Sequence, residues 1–368
     1  MLNKTFLFFI ALFFIFPLLS YDAVTVVSKK ETQQVPIDGN ADDPAIWFNQ
    51  LDSNLSLIFG TDKYNGIYTY NLDAETIGFS EAGKINNIDL RSIKNDKDNQ
   101  FLTFIFGSNS GSNTIDLWIE SNINLYKGSL NNSFSLPITP NFSEETNFLA
   151  YGICAGFDKE FGIIAFVTEA QGPGMQMWQF KENKLSLIKE FNNQNASESE
   201  GCVYDDENRT LFVSEENERG VIRAYKLDNL LNFLNPTIID DRNGNITGDP
   251  EGLAIYKNSE IDGYLIASSQ GNSTFNIYNR NQPYNFINSF RIANNEFIDE
   301  VSDTDGIDIS TNYFNEEFSK GLIVVQDGDN SGNEIINKEN FKFISVEDLM
   351  NILDLSLIHI SEPTRRRG

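Results

Sequence analysis

Short apolar segments separated by polar turns run through most of the chain. Each segment is rich in Phe, Ile and Val and is bounded by Gly, Asn or Asp, a pattern typical of β-strands. The order strand, strand, polar turn, strand recurs in six units between residues 29 and 354. Units of about 50 residues that carry strand patterns predict propeller blades. We therefore expect an all-β fold, a six-bladed β-propeller, with one short helix near residues 346–353.

Each unit begins with an acidic or polar residue at the head of an apolar run. The six head residues recur at intervals of 44 to 64 residues and are Asp43, Asn87, Tyr151, Glu200, Glu251 and Asp305. The first strand of every propeller blade lines the central channel, so equivalent blade ends meet at one mouth. The heads should form a ring at that mouth, surrounded by the turns that follow the second strands. These turns contain Lys63, Ser108, Asn109, Glu169, Glu215, Glu216, Gln270 and Asp327.

The two ends of the chain lack the strand pattern of its body. Residues 1–20 combine Lys4 with an apolar stretch too short to span a bilayer comfortably, which predicts a secretory signal peptide. An uncleaved anchor is the lesser alternative, so we expect a secreted protein, periplasmic or extracellular. Residues 355–365 read LSLIHISEPTR, which resembles the translation of a transposase-type sequencing adapter. We therefore expect residues 355–368 to be a non-native tail, and the native C-terminus to be missing.

Charge and histidine content narrow the chemistry. The 368-residue chain has 53 acidic residues against 27 Lys and Arg, a net charge of -26, which argues against nucleic acid and anionic membranes as partners. A self-repelling soluble surface accounts for part of this acidity, and bound Ca²⁺ would account for the rest. The single histidine, His359, lies in the non-native tail. A body without histidine excludes Ser-His-Asp triads and histidine-based zinc hydrolases.

The two cysteines, Cys154 and Cys202, head equivalent strands of neighbouring units. A disulfide between them is compatible with an oxidising compartment. Two separate, small buried residues in strand cores is the alternative, and we favour it from the sequence.

A ring of carboxylates requires compensating cations. Several acids that converge on one mouth cannot all stay ionised unless cations are bound. Carboxylate, amide and carbonyl oxygens are ligands that suit Ca²⁺. Clustered Ca²⁺ would also attract a phosphate ester to an acidic protein and activate water for its hydrolysis.

Several segments closely resemble the β-propeller phytases, the calcium-dependent alkaline 3-phytases of bacteria. The matching strings span nearly the whole body and include DDPAIW (42–47), DPEGLAIY (249–256), YLIASSQGNSTFNIYNR (264–280), SDTDGIDI (302–309) and VVQDGDN (324–330). The resemblance implies a propeller that binds several Ca²⁺ ions and hydrolyses phytate, taken up as its calcium complex, to lower inositol phosphates and phosphate. It also implies catalytic roles for Lys63, Tyr151, Glu200 and Glu251.

The resemblance further implies a set of calcium ligands. Those of the catalytic ions fall on Asp42 or Asp43, Tyr151, Glu200, Glu215, Asp249, Glu251, Asp299 and Asp305, with Glu31 as a weaker match. Structural calcium ligands fall near Asp89, Asp308, Asp327 and Asn330.

The chain departs from the family where the family carries basic residues. Tyr64 replaces a second Lys, Ser110 replaces an Arg, and Thr168-Glu169-Ala170 replaces a turn that contains a Lys. Each lost cation removes a charge-assisted contact worth about 1.5–3 kcal/mol. We therefore expect weak phytase activity or a shift towards another phosphate ester.

Two other functions compete with this hypothesis. One is a non-catalytic propeller that binds a phosphorylated ligand or a partner protein through a calcium-loaded rim. The other is a lactonase-like propeller with one central Ca²⁺, against which the repeated acids and the ASSQGNS segment argue. We expect a monomer in each case.

Overall fold

The computed structural model describes residues 23–94, 100–216, 219–228, 231–233, 235–330, 339–351 and 353. The predicted signal peptide and the predicted non-native tail lie outside these residues. Six separate sheets account for the strands that are described. This arrangement confirms the predicted six-bladed β-propeller.

Two short strands, β1 (Val24–Val27) and β2 (Lys30–Glu31), precede the first blade. Blade 1 contains β3 (Ala41–Trp47), β4 (Leu57–Asp62), β5 (Gly66–Tyr70) and β6 (Thr76–Ser80). Blade 2 contains β7 (Ile85–Lys94), β8 (Phe101–Asn109), β9 (Thr114–Ser121) and β10 (Phe142–Glu145). Blade 3 contains β11 (Ala150–Asp158), β12 (Gly162–Glu169), β13 (Gly174–Lys181) and β14 (Lys184–Asn192).

The remaining blades follow the same antiparallel order. Blade 4 contains β15 (Cys202–Asp205), β16 (Thr210–Glu215), β17 (Val221–Lys226) and β18 (Thr237–Asp240). Blade 5 contains β19 (Leu253–Lys257), β20 (Gly263–Ser269), β21 (Thr274–Asn279) and β22 (Phe286–Ala293). Blade 6 contains β23 (Ile307–Ser310), β24 (Leu322–Asp327) and β25 (Asn340–Ser345).

The first strands of the chain complete the last blades. Strand β2 pairs antiparallel with β25, so that blade 6 also has four strands. Strand β1 pairs in parallel with β22 and adds a fifth strand to blade 5. These pairings join residues more than 250 positions apart and close the ring of blades. The sheets therefore begin before residue 29, where the sequence placed the start of the body.

The hydrophobic core is divided among the interfaces between blades. One cluster packs Trp47 and Phe59 of blade 1 against Ile105 and Trp118 of blade 2. Each further pair of neighbouring blades encloses a similar cluster. Strands in the middle of a blade are covered on both faces, which explains why β24 is buried along its whole length. Burial of one large apolar side chain contributes about 1.5–3 kcal/mol, so these interfaces fix the blades around the channel.

The helix predicted near residues 346–353 is confirmed over residues 346–351. The helix α1 (Asn122–Leu130) was not predicted. It begins at Ser121, whose hydroxyl accepts a hydrogen bond from the backbone N–H of Asn124 at 3.2 Å. Its sequence has no strong helical period. Leu125 is the single large apolar side chain of this helix that is fully buried. Within the described residues, no helix is long and apolar enough to cross a membrane.

The expectation of two separate cysteines was wrong, because Cys154 and Cys202 form a disulfide. They lie on β11 and β15, the inner strands of blades 3 and 4. Neighbouring inner strands bring their Cα atoms to 5.6 Å, a separation that suits a disulfide. The bond therefore joins two blades directly beside the mouth of the channel.

Candidate functional site

The heads of the inner strands meet at one mouth of the channel. Glu200, Glu251 and Asp305 each lie two residues before the inner strand of their blade, in blades 4, 5 and 6 respectively. Asn86, beside the blade 2 head, donates a hydrogen bond to Glu200 at 2.7 Å from the opposite side. This contact between blades 2 and 4 shows how narrow the mouth is.

Glycine follows four of the heads because the next blade passes very close. A Cβ atom on Gly152 would lie 1.8 Å from the carbonyl oxygen of Glu200, and one on Gly201 would lie 1.9 Å from that of Glu251. No side chain fits at such distances. The repeated acid–glycine pairs of the sequence are therefore a steric requirement of the ring.

Five carboxylic acids, which we call the carboxylate cluster, surround this mouth: Asp42, Glu200, Glu216, Glu251 and Asp305. The carboxylates of Glu200, Glu216 and Glu251 offer oxygen atoms that all lie within 4.8 Å of one another. The residues Asp42, Glu200 and Glu251 are at most 4% exposed. Ionised carboxylates that are this close together and this well shielded from water repel one another strongly.

The pKa values reflect this repulsion. Burial, followed by the charges of Glu200 and Glu198, raises the pKa of Glu216 to about 10. Burial also raises the pKa of Asp305 to about 7, with a further contribution from Glu200 that Lys63 opposes. Burial and neighbouring carboxylates raise the pKa values of Asp42 and Glu251 well above the ordinary range. In the absence of bound cations, most of the cluster would therefore hold protons near neutral pH.

Lys63 brings a positive charge into the cluster. Its Nζ lies 3.2 Å from Oδ1 of Asp42 and 3.3 Å from Oε1 of Glu200. Burial alone would lower the pKa of Lys63, but Asp42, Glu200 and Asp305 outweigh it and raise that pKa well above its usual value. Burial likewise opposes ionisation of Glu200, yet Lys63, Tyr151 and Asn86 hold the pKa of Glu200 below its usual value. Lys63 and Glu200 thus form the charged centre of the cluster.

A second layer of acids lies deeper in the channel. Asp43 accepts the backbone N–H of Ile88 at 2.9 Å, Asp89 accepts that of Ala155 at 2.8 Å and Asp308 accepts that of Ile46 at 2.7 Å. Each acid therefore binds the inner strand of a neighbouring blade. All three line a cavity of about 410 Å³ that also contains Arg91, whose guanidinium lies 3.1 Å from Asp89. Burial, followed by the charge of Asp89, raises the pKa of Asp308 to about 7.

Comparison with known proteins identifies the family. The sequence model of the Phytase family matches residues 17–362. The chain belongs to the phytase family. It is 32% identical over 336 residues to the 3-phytase of Bacillus subtilis, a match that covers 88% of this chain and 84% of the relative.

A solved structure supports the fold of this phytase-family chain. An auxiliary nutrient binding protein from Bacteroides thetaiotaomicron aligns with a TM-score of 0.52 over 86% of this chain and 75% of the other. The two sequences are 10% identical, so this likeness concerns the fold alone.

Some ligands implied by the phytase resemblance lie outside the carboxylate cluster and are paired with basic residues. Glu215 is buried and lies 2.8 Å from the guanidinium of Arg223. Asp249 pairs with Arg242, which also donates to the carbonyl oxygen of Glu216 at 2.7 Å. The structure therefore brings Glu216, rather than Glu215, to Glu200 and Glu251.

Asp299 and Asp327 surround a different cation, the buried ammonium of Lys342. Its Nζ lies 2.8 Å from Oδ2 of Asp327, contacts Oδ1 of Asp299 and lies 4.0 Å from Oε2 of Glu31. Asn330 is also buried. The structure thus groups the predicted structural ligand Asp327 with Asp299 and Glu31.

The replaced basic positions of the phytase family carry neutral or acidic side chains at this rim. Tyr64 is 56% exposed beside Lys63. Ser110 donates to the carbonyl oxygen of Lys84 at 3.1 Å, and the carboxylate of Glu169 accepts the backbone N–H of Gly174 at 2.8 Å. The Glu169 carboxylate therefore holds its own turn, whereas Ser110 joins its turn to the segment that precedes β7.

Three residues of the site were missed or given a minor place in the sequence analysis. Glu216 was assigned to the outer turns, and Asn86 and Arg242 were not considered. The one available signal for Glu216 was its position directly after Glu215, since successive residues at a strand end point to opposite faces. Nothing in the local sequence indicates that Asn86 reaches Glu200 across the channel.

Proposed function

We propose that this protein is a secreted, calcium-dependent 3-phytase that hydrolyses phytate to lower inositol phosphates and phosphate. The carboxylate cluster, with Lys63 at its centre, is the observation that supports the proposal most strongly. Its acids are too close and too buried to ionise together without bound cations. Membership of the phytase family supplies the substrate class.

The chemistry of the cluster fits calcium. Its donors are carboxylate oxygens, with the phenol oxygen of Tyr151 and the amide oxygen of Asn87 nearby. Oε1 of Glu216 and Oε2 of Glu251 are buried and have no hydrogen-bond partner. Buried carboxylate oxygens without partners are costly, and a cation between them would remove that cost. We propose Asp42 or Asp43, Tyr151, Glu200, Glu216, Glu251 and Asp305 as ligands of the catalytic ions.

The remaining predicted ligands belong to three further groups. Asp89 and Asp308 in the channel would hold a structural ion, and Asp327 with Asn330 would hold another once Lys342 has moved away from Asp327. Asp249 and Asp299 would have to exchange Arg242 and Lys342 for calcium. We keep Glu215 as a weaker candidate, because Arg223 already compensates its charge.

The roles of the protein's own residues follow from this arrangement. Bound calcium would polarise the phosphate group and activate the attacking water. Lys63 would donate to a phosphate oxygen once the charges of Asp42 and Glu200 are compensated by metal. Tyr151 would fix the orientation of Glu200, since its hydroxyl hydrogen-bonds to the Glu200 carboxylate. Its ring also lies against Lys63, with 6.0 Å between Nζ and the ring centroid. Water would attack phosphorus, the bond between phosphorus and the inositol oxygen would break, and the proton lost by the water would be taken up by that inositol oxygen.

The rim favours binding through one phosphate group. Phytate offers neighbouring phosphates, but Tyr64, Ser110 and Glu169 stand where the family carries cations. We therefore propose a weakened phytase or one shifted towards other phosphate esters, which acts as a monomer on the calcium complex of its substrate. A non-catalytic propeller that binds a phosphorylated ligand is the alternative that these same replacements favour.

The disulfide supports a secreted location. Disulfides persist in oxidising compartments, which agrees with removal of residues 1–20 as a signal peptide. Mass spectrometry of the protein recovered from its native compartment should give a mature chain that lacks this segment. Sequencing across the codons for residues 355–365 would test the proposed adapter origin of the tail.

One assay tests the function. Phosphate release from phytate and from a simple phosphomonoester is measured in calcium and in excess chelator. We expect phosphate release in calcium and its loss in chelator. The ratio of release from the simple ester to release from phytate should be higher than for the Bacillus relative. Calcium binding without phosphate release from either compound would favour the non-catalytic alternative, and release in chelator would contradict calcium dependence.

A further inference from the structure

Five buried hydroxyl groups recur at one position of the fold. They belong to Thr61, Ser108, Thr168, Ser214 and Ser268, which we call the hydroxyl ring. Each lies near the end of the second strand of blades 1 to 5. All five residues are 0% exposed. Buried hydroxyls are seldom repeated in this way unless they make specific hydrogen bonds.

Thr168 shows what such a hydroxyl does. It accepts the backbone N–H of Gly152, which follows the head of its own blade, at 2.8 Å. It also donates to the carbonyl oxygen of Ser199, next to Glu200 in the following blade, at 2.5 Å. One side chain therefore fixes the distance between the heads of blades 3 and 4.

The same link recurs around the channel. Thr61 accepts the N–H of Asp43 at 2.9 Å and donates to the carbonyl oxygen of Asn86 at 2.9 Å. Ser108 accepts the N–H of Asn87 at 3.1 Å and donates to the carbonyl oxygen of Tyr151. Its hydroxyl therefore joins blades 2 and 3.

In blades 4 and 5 the hydroxyl group donates a hydrogen bond to the next blade, as in blades 1 to 3. Ser214 donates to the carbonyl oxygen of Glu251 at 2.6 Å, and Ser268 donates to that of Thr304 at 3.3 Å.

The sixth junction closes without a hydroxyl. Gln326 of blade 6 lies on the second strand and accepts the N–H of Asp305 through Oε1 at 2.8 Å. The N–H of Gly306 then donates directly to the carbonyl oxygen of Asp42 at 3.2 Å. The ring of heads is thus connected by hydrogen bonds through every blade.

We propose that the hydroxyl ring positions the carboxylate cluster for metal binding, an inference that rests on the proposed calcium-dependent function. Its members are positioning residues that act through the backbone of the heads and do not touch the substrate. The backbone of Glu251, and the peptide unit directly before Glu200, are bound by a hydroxyl from the preceding blade. Loss of that hydroxyl leaves a buried carbonyl, and in blade 3 also a buried N–H, without a partner. The head would then shift, and its carboxylate with it.

A matched control exists within the same fold. Thr69 on β5 is also 0% exposed, but its hydroxyl has no hydrogen-bond partner. Thr168→Val and Thr69→Val are therefore the same chemical change at two buried strand positions. Only Thr168→Val removes hydrogen bonds to the backbone beside the head residues. Thr168→Ser restores the hydroxyl, and Ser214→Ala tests a second member of the ring.

The experiment measures calcium affinity by calorimetry and amide exchange of Gly152 in calcium-free protein. We expect Thr168→Val and Ser214→Ala to weaken calcium binding about tenfold to a hundredfold, the range seen when partners of metal ligands are removed. Exchange at Gly152 should become about tenfold faster in Thr168→Val, since its acceptor is lost. Thr168→Ser and Thr69→Val should behave like the wild type in both measurements.

The outcomes separate the two proposals. If the wild type binds no calcium, the proposed function fails, and exchange at Gly152 still decides whether Thr168 holds its head. Unchanged exchange in Thr168→Val, or equal loss of calcium affinity in Thr69→Val, would overturn the positioning role. Should Thr168→Val not fold, normal calcium affinity in Ser214→Ala would overturn it as well.

Discussion

Replacement of Glu251 by glutamine should have opposite effects on stability with and without calcium. The change removes one charge from the carboxylate cluster but keeps the backbone carbonyl that Ser214 binds. In calcium-free protein it relieves repulsion from Glu216 and Glu200, the two largest charge contributions to the raised pKa of Glu251. In calcium-loaded protein it removes a proposed ligand.

The magnitude follows from the distances. Two carboxylates 4.8 Å apart repel each other by about 3 kcal/mol at an effective dielectric constant of about 20. Partial protonation relieves some of this, so we expect calcium-free Glu251→Gln to gain about 1–3 kcal/mol. That gain raises the thermal midpoint by roughly 2 °C for each kcal/mol in a domain of this size. With calcium present, affinity should fall about tenfold or more, and the stabilisation by metal should shrink accordingly.

The assay is thermal unfolding in chelator and across a calcium titration at about pH 8, well above the ordinary pKa of glutamate. Glu145→Gln, on the exposed outer strand of blade 2, is the matched control and should change neither curve. Equal destabilisation of Glu251→Gln with and without calcium would refute the reasoning, because the carboxylate would then act only in folding.

Three further predictions concern the cation, the proton balance and the disulfide. Lys63→Met should lower kcat/KM for phosphate esters about tenfold to a hundredfold, because a charge-assisted contact to phosphate is lost. The control Lys257→Met, at the other end of the channel, should leave kcat/KM unchanged. Equal losses in the two variants would contradict a phosphate contact of Lys63. Because the pKa values of Asp305 and Glu216 are raised to about 7 and about 10, the folded calcium-free protein binds more protons than the unfolded chain. Its thermal midpoint in chelator should therefore fall as the pH rises from about 5 to about 9, and a midpoint that rises would contradict the raised values. Reduction of the Cys154–Cys202 disulfide, whose cysteines are 48 residues apart, should cost up to about 4 kcal/mol in denaturant unfolding, and an unchanged midpoint would contradict its role between the blades.

The sequence was sufficient for the fold because the blade repeat is carried by local signals. Apolar runs, turn residues and a polar or acidic head recur in every unit, and topology then places the heads at one mouth. Glu200, Glu251 and Asp305 were predicted in this way, and the structure brings them together with Lys63.

Features that depend on contacts between blades could not be read from the chain. Glu215 and Glu216 are adjacent, and only the structure shows that Glu215 shares a face with Arg223 while Glu216 joins the cluster. The disulfide depends on the separation of β11 and β15, which no local pattern encodes.

The same limit applies to the closing strands. The closure of blades 5 and 6 by β1 and β2 joins residues far apart in sequence, where polar and apolar pattern carries little information.

The most direct test of the central claim is the position of bound calcium. A crystal structure of calcium-loaded protein, recorded where calcium scatters anomalously, should show peaks between Glu200, Glu216 and Glu251, with Lys63 moved away from Glu200. Strong peaks elsewhere with none in the carboxylate cluster, and Lys63 still bound to Asp42 and Glu200, would contradict the account.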